Sequence, residues 1–435
     1  MTARGDWIRA AGNRIHADLR RELERQRQGP QAVVAGLLSG WRHRRIPILI
    51  ELGNDSELDA VCRALSACGC TRVRPVRLVG LIAAEAAPEA IRRALEDRRI
   101  RRLRLDRQVR ALLDVATPTV RAPAVWAAGA RGRGVTVAVL DTGIYPHPDF
   151  TQPVNRLLAF HDVVSGRREP FDPDGHGTHV AGIIAGNGRM SGGRYVGCAP
   201  EAGLVGVRVL DDQGLGRLSH VLAGLDWVVA HRRELAIRVV NLSLGSLAVD
   251  PPGEDPLVQA VEAAWRSGLV VCTAAGNSGP EPGTIDTPGI APSVITVGAV
   301  DDHGTTYRGD DTVAAFSSRG PALGGAAKPD LVAPGVHITA AAAPGSRTAA
   351  RNRLGTGAYV TMSGTSMATP MVAGLAALLL SVYPELGPDR VKALLIGGCS
   401  TLRVGPDAEG RGLVDGATSL RLAGSTGPPG DRPPA

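Results

Sequence analysis

Apolar positions along the chain change rhythm twice, and each change marks a boundary. Near the N-terminus a polar, Arg-rich stretch carries Trp7, Ala11, Ile15, Leu19 and Leu23 near helical spacing. Over residues 1–45 this predicts a basic helical extension, partly packed and largely solvated. From Ile46 short runs take over. "IPILIEL" reads as a strand, "DSELDAVCRALSACG" as a helix, "RVRPVRLVGLIAAE" as one or two strands, "APEAIRRALEDRRI" as a helix and "RRLRLD" as a last strand. This β-α-β-β-α-β order predicts a small α+β domain over residues 46–116, helices packed on an antiparallel sheet. From Val135 the runs "VTVAVL", "LVGVRVL", "VVNLSL", "LVVCTA" and "VITVGA" are apolar on both faces, with helices such as "LSHVLAGLDWVVAHRR" and "PLVQAVEAAWRSG" between them. Such alternation predicts an α/β domain over 117–422, a parallel sheet covered on both sides. Residues 423–435 end Pro-rich and are expected to be disordered.

Composition narrows the class. With 44% apolar and 21% charged residues, the 435-residue chain is a folding, globular one. No apolar run reads as long enough to span a bilayer, and "MTARGDWIRAAGNRIHADLRRELERQRQG" has no apolar signal core. A cytoplasmic protein without a membrane partner is expected, export by a non-classical route being the alternative. The net charge of +7 is uneven: residues 1–121 hold 24 Arg against 14 Asp+Glu, or +10, and the remainder 25 Lys+Arg against 28 Asp+Glu, or −3. No aromatic cluster accompanies the basic part, which argues against nucleic acid. A positive module docking on a mildly negative one explains it better. Cys62, Cys68, Cys70, Cys198, Cys272 and Cys399 form no CxxC pair and read as structural thiols.

Open α/β sheets place their sites beyond the carboxyl ends of strands. There stand Asp141-Thr142-Gly143 after "VTVAVL", Gly245-Ser246 after "VVNLSL", and Ala275-Gly276-Asn277-Ser278-Gly279 after "LVVCTA". Between the first two lies "DGHGTHVAGIIAG" with His176, and downstream "SGTSMATP" with Ser366 at a helix start. A serine hydroxyl is a weak nucleophile until an imidazole takes its proton, and the imidazole needs a carboxylate to fix its tautomer. Asn277 and the Ser366 N–H are candidate donors to an oxyanion. Pro370 reads as a first-turn residue of the helix, where no N–H is needed.

"VAVLDTGI", "DGHGTHVAG", "AAGNSG" and "SGTSMATPMVAG", in that order, resemble the signature segments of subtilisin-like serine proteases, the subtilases. "GCAPEAGLVGVRVL", "VVNLSLGS", "PSVITVGAV", "FSSRGP", "KPDLVAPG" and "GRGLVDG" extend the resemblance over about Arg121 to Leu422. It lies closest to the intracellular AprX-like branch. The resemblance implies a three-layer subtilisin-like fold with a mostly parallel seven-stranded sheet. It also implies a serine endopeptidase acting on polypeptides through an acyl-enzyme. Asp141 would orient, His176 would be the general base and acid, Ser366 the nucleophile and Asn277 the oxyanion donor. Substrate would lie as a strand between Ser243–Gly245 and Gly214–Leu218, Gly214 and Gly216 among them. Ser243, Leu244, Gly245, Ala274, Ala275 and Gly276 would wall the pocket for the residue preceding the scissile bond. The front domain would be a self-inhibitory propeptide, cut between Arg107 and Thr117.

Asp286 departs from the pattern: "TIDTPG" puts a carboxylate near the floor of that pocket, where many relatives have Gly or Ser. It would add tolerance for Lys or Arg there; a solvated loop carboxylate or a cation ligand is the plainer reading. No cofactor is required for the chemistry. Structural calcium is admitted, with Asp149 in "HPDF" the one candidate ligand, yet "GNGRMSGGRY" lacks the residues to complete such a site. His147 and His179 are expected to serve structure. A binding scaffold on this fold would be expected to lose a triad member, and none is lost.

Overall fold

The computed structural model describes residues 7–28, 45–54, 57–76, 80–105, 113–351, 353–354 and 357–425. The chain forms two compact units, Met1–Val109 and Arg110–Ala435.

In the first unit, β1 (Ile46–Leu52), β2 (Thr71–Val76), β3 (Leu81–Ala86) and β4 (Ile100–Leu105) form an antiparallel sheet in the order β2-β3-β1-β4. Period-two alternation sends Ile46, Ile48, Ile50 and Leu52 to one buried face, where helices Leu58–Ala67 and Pro88–Ala94 contribute Val61, Leu65 and Ile91. The expected β-α-β-β-α-β order is present. The N-terminal stretch, however, is no extension of its own. Ile8, Ile15, Leu19 and Leu23 are buried in the same core. His16 N–H donates to Leu103 O at 2.8 Å, and the Arg14 guanidinium donates to the carbonyls of Leu95, Asp97 and Ile100. The apolar stripe seen in the sequence needed a partner, and β4 supplies it. Residues 29–44 lie outside the described residues.

The second unit is built on β5 (Thr136–Asp141), β6 (Leu157–Asp162), β7 (Gly203–Arg208), β8 (Ile237–Leu242), β9 (Val270–Ala274), β10 (Ile295–Asp301), β11 (Thr312–Val313) and β12 (Leu331–Pro334). Of these eight, only β11 is antiparallel; the other seven run parallel in the order β6-β7-β5-β8-β9-β10-β12. All of β5 and β9 is buried, as continuous apolar runs require when both faces are covered. A separate antiparallel trio joins β13 (Ile338–Ala341), β14 (Arg353–Leu354) and β15 (Tyr359–Met362) in the order β13-β15-β14. From β15 the chain enters helix Thr365–Val382, buried at every residue from Met367 to Leu380. This 18-residue helix does reach the length and apolarity of a bilayer span, but 83% of it is buried in the core.

Two boundaries differ from the expected ones. Ala116 and Val120, on and just after helix Leu113–Thr119, belong to the second unit's core, and Thr117 Oγ1 donates to Val196 O at 3.0 Å. That unit therefore begins ahead of residue 117. Of the expected processing window, residues 107–112 lie outside the described residues and 113–117 are helical. At the other end, helix Gly416–Ser425 continues past Leu422 because Ala423 packs into the core; residues 426–435 lie outside the described residues.

Candidate active site

β5 and β8 are neighbours in the sheet, as are β8 and β9, so their carboxyl ends bring Asp141, Ser243 and Ala275 side by side. Asp141 is fully buried. Its Oδ1 accepts the Thr142 N–H at 2.8 Å and lies 2.7 Å from His176 Nδ1. Its Oδ2 is buried without a partner among the described residues. An imidazole that donates a hydrogen bond from its Nδ1–H to Asp141 keeps Nε2 free as a base. Burial opposes charge on His176, but the Asp141 charge and hydrogen bond, together with the Asp174 and Asp172 charges, outweigh it and raise its pKa above the ordinary histidine value. The approach depends on two glycines. A Cβ on Gly177 would lie 2.1 Å from Gly143 O and 3.0 Å from Asp141 Cβ. Gly175, at φ +96°, has no room either: a Cβ would lie 2.1 Å from Thr348 Oγ1.

Sequence reasoning passed over the residue that shapes this loop. Asp172 Oδ1 accepts Thr142 Oγ1 and Gly175 N–H, both at 2.8 Å, and Oδ2 accepts Thr178 N–H at 2.8 Å and Thr178 Oγ1 at 2.6 Å. Burial pushes its pKa up to about 6 against those four donors. The spacing Asp-Pro-Asp-Gly ahead of His176 carried the hint, since Asp there readily captures the backbone N–H groups of the next few residues.

Ser366 is the second residue of its helix, where an N–H has no carbonyl one turn earlier. The Thr365 N–H and hydroxyl both donate to Asn277 Oδ1, at 2.9 and 3.1 Å. Because only an oxygen can accept them, the exposed Asn277 amide presents its NH2 outward. Ser366 Oγ donates to Ser243 O at 3.1 Å, and among the described residues no hydrogen bond joins it to His176. Pro370 is the sixth residue of the helix, not a first-turn residue. It therefore withholds the N–H that Ser366 O would accept. Ser243 Oγ fills the gap, donating to Ser366 O at 2.9 Å while accepting from Asn241 Nδ2 at 2.9 Å.

A cleft of about 960 Å³ is lined by His176, Gly214, Gly216, Ser243, Leu244 and Gly245 among others. Ala274, Ala275 and Gly276 do not line it; they are buried beside it. Asp286 is tied to them, its N–H donating to Ala275 O at 2.9 Å. Its carboxylate stands between two glycines: a Cβ on Gly276 would lie 2.5 Å from Asp286 Oδ2, and one on Gly245 3.8 Å from it. Partial burial raises its pKa.

The remaining candidates serve structure. His179 Nε2 lies 3.1 Å from both Ile338 O and Val360 O; burial, aided by His176, lowers its pKa to about 3, so it is neutral. His147 Nδ1 accepts Asp149 N–H and its Nε2 reaches Ala358 O at 3.0 Å. Asp149 does not fit a calcium ligand. Its Oδ1 accepts Met190 N–H at 2.9 Å and its Oδ2 accepts the Tyr359 hydroxyl at 2.8 Å, so protein donors already hold both oxygens. Among the described residues no group of three or more His, Cys, Asp or Glu could hold a metal ion.

A family model described as the subtilase family matches residues 132–411. The chain is 47% identical over 354 residues to "Serine protease AprX" of Bacillus subtilis, covering 79% of each chain. It is 36% identical over 278 residues to "Subtilisin DY" of Bacillus licheniformis, covering 63% of this chain and 87% of that one. Among solved structures it resembles a cold adapted subtilisin-like serine proteinase at 34% identity and TM-score 0.51, over 66% of this chain and 88% of the other.

Proposed function

From the premise that this chain belongs to the subtilase family and is a subtilisin-like serine peptidase, we propose that it cleaves polypeptides internally through Asp141, His176 and Ser366. The observation that carries the reading is the 2.7 Å contact of His176 Nδ1 with buried Asp141, in the same site as a half-buried serine mounted in the first turn of a buried helix. On substrate binding, Ser366 Oγ leaves Ser243 O, gives its proton to His176 Nε2 and attacks the peptide carbonyl. The proton then passes from His176 to the leaving amine, and water repeats the cycle on the acyl-enzyme. Asn277 NH2 and Ser366 N–H face the developing oxyanion. Substrate backbone pairs between Gly214–Leu218 and Ser243–Gly245, which line one cleft. A fluorophosphonate probe should label the protein and fail to label Ser366→Ala; labelling that survives the substitution refutes the assignment.

The first unit is read as a self-inhibitory propeptide, on its β-α-β-β-α-β order and its positive charge. On incubation the N-terminus should shift in the wild type and stay in Ser366→Ala. Six free thiols agree with the cytoplasm as the place of action.

Asp286 extends the reading to specificity. Its carboxylate has no cation partner among the described residues and stands between two glycines beside Ala275. A Lys or Arg side chain entering there would supply the missing charge. Cleavage after Arg relative to Leu should fall several-fold in Asp286→Ser. Because the carboxyl pKa is raised, the wild-type Arg-to-Leu ratio should also grow as pH rises. Ratios unchanged by the substitution would sink the idea.

A further inference from the structure

His176 is surrounded by more negative charge than a general base needs. Asp141 faces it from β5, Asp172 and Asp174 from the loop before it, and His179, one turn on, is neutral. Asp172 is spread over four donors. Asp174 is different. Its side chain is 2% exposed; among the described residues its Oδ1 accepts only the His176 N–H, at 3.2 Å, and its Oδ2 is gripped by one cation, Arg347. Arg347 Nε donates to that oxygen at 2.7 Å, and Nη2 donates to it as well. The same Nη2 reaches Gln213 O at 3.3 Å, on the loop whose Gly214 and Gly216 line the cleft. The main chain repeats the tie: Arg347 N–H donates to Pro173 O and Thr348 N–H to Asp174 O.

Resting on the assignment of His176 as base, we propose that Arg347 is a positioning residue: it neutralises the buried Asp174 carboxylate beside the imidazole and fastens the base loop to the substrate-side loop. The need follows from the chemistry. A base works best with its pKa near the working pH, and an imidazole kept protonated by surplus carboxylates cannot take the serine proton. Asp141 must stay charged to orient the ring, so the surplus has to be cancelled elsewhere. Arg347 does so at Asp174. In the sequence, Arg347 lies 171 positions beyond His176 in a stretch without motif character, and nothing there marked it.

The test is the acid limb of kcat/KM against pH on a peptide substrate. In Arg347→Met the lone Asp174 charge favours imidazolium, and the limb should move up by roughly half a pH unit, as a single partly hydrated charge allows. In Asp174→Asn it should move down by a similar amount, since Arg347 is then uncompensated. The double variant should return close to wild type, and Arg347→Lys should stay there. Limbs that do not move, or that move the same way in both single variants, would overturn the proposal, even where turnover falls. A limb that survived in His176→Ala would instead strike at the assignment of the base itself.

Discussion

At the scale of single residues, the mount of the nucleophile rests on an exchange. Pro370 costs helix Thr365–Val382 one internal hydrogen bond, and the orphaned carbonyl belongs to Ser366 itself. Ser243 Oγ substitutes for the missing amide, while Ser243 O receives the Ser366 hydroxyl. An orphaned buried carbonyl costs about 1–3 kcal/mol. Ser243→Ala should therefore destabilise the protein by that order. The loss should shrink in a Pro370→Ala background, where the restored N–H can serve Ser366 O. Chemical denaturation of the four chains, each carrying Ser366→Ala to prevent self-digestion, measures the coupling; equal losses in both backgrounds would show that the hydroxyl is not the substitute. None of this is legible in the sequence. "SGTSMATP" announces a reactive serine, but the residue completing its helix comes from the loop just after β8, 123 positions earlier.

Elements were easier to read than their margins. Runs apolar on both faces identified the central strands because a parallel sheet buries both faces, and the strand ends then located Asp141, Ser243 and Ala275. The edge was harder. β11 is two residues long and pairs antiparallel with β10 through Val300–Val313 and Asp301–Thr312. One step further along that register, Asp302 and Asp311 stand opposite each other, both buried. Asp302 Oδ2 and both oxygens of Asp311 have no partner among the described residues. Burial raises Asp302 to about 7, with Gly304 N–H opposing and Asp311 adding, and burial raises Asp311 to about 6, with Asp310 adding. Asp301 acts in the same direction on both, and His303 opposes it at both; Arg308 opposes it at Asp311. A carboxyl group whose folded pKa is raised contributes stability at low pH and loses it as pH climbs through that value. Asp302→Asn should thus raise the melting temperature at pH 8 and change it little at about pH 4, near the ordinary carboxyl value where the loss begins. Destabilisation at both values would mean the carboxylate has a partner that this pairing does not provide.

At the scale of the whole molecule, each unit has its own main hydrophobic core among the described residues, and the two share no residue. The N-terminal helix belongs to the first, through Leu19 and Leu23. Its stripe was visible from sequence, but a stripe states only that something will cover it. Leu19 is fully buried, so Leu19→Ala should cost the first unit about 2–5 kcal/mol. Thermal melting of the chain carrying Ser366→Ala checks this, and a variant that melts unchanged would return residues 7–28 to the status of a loose extension.

Asp149 carries a last consequence, one of supply. Two donors close its loop, the Met190 N–H and the Tyr359 hydroxyl, the second from 210 positions away. An ion at such a corner would be a borrowed part, lost whenever the surroundings run short of it. A hydroxyl and an amide are made with the chain and stay with it. At this corner the newly synthesised protein carries its own clasp.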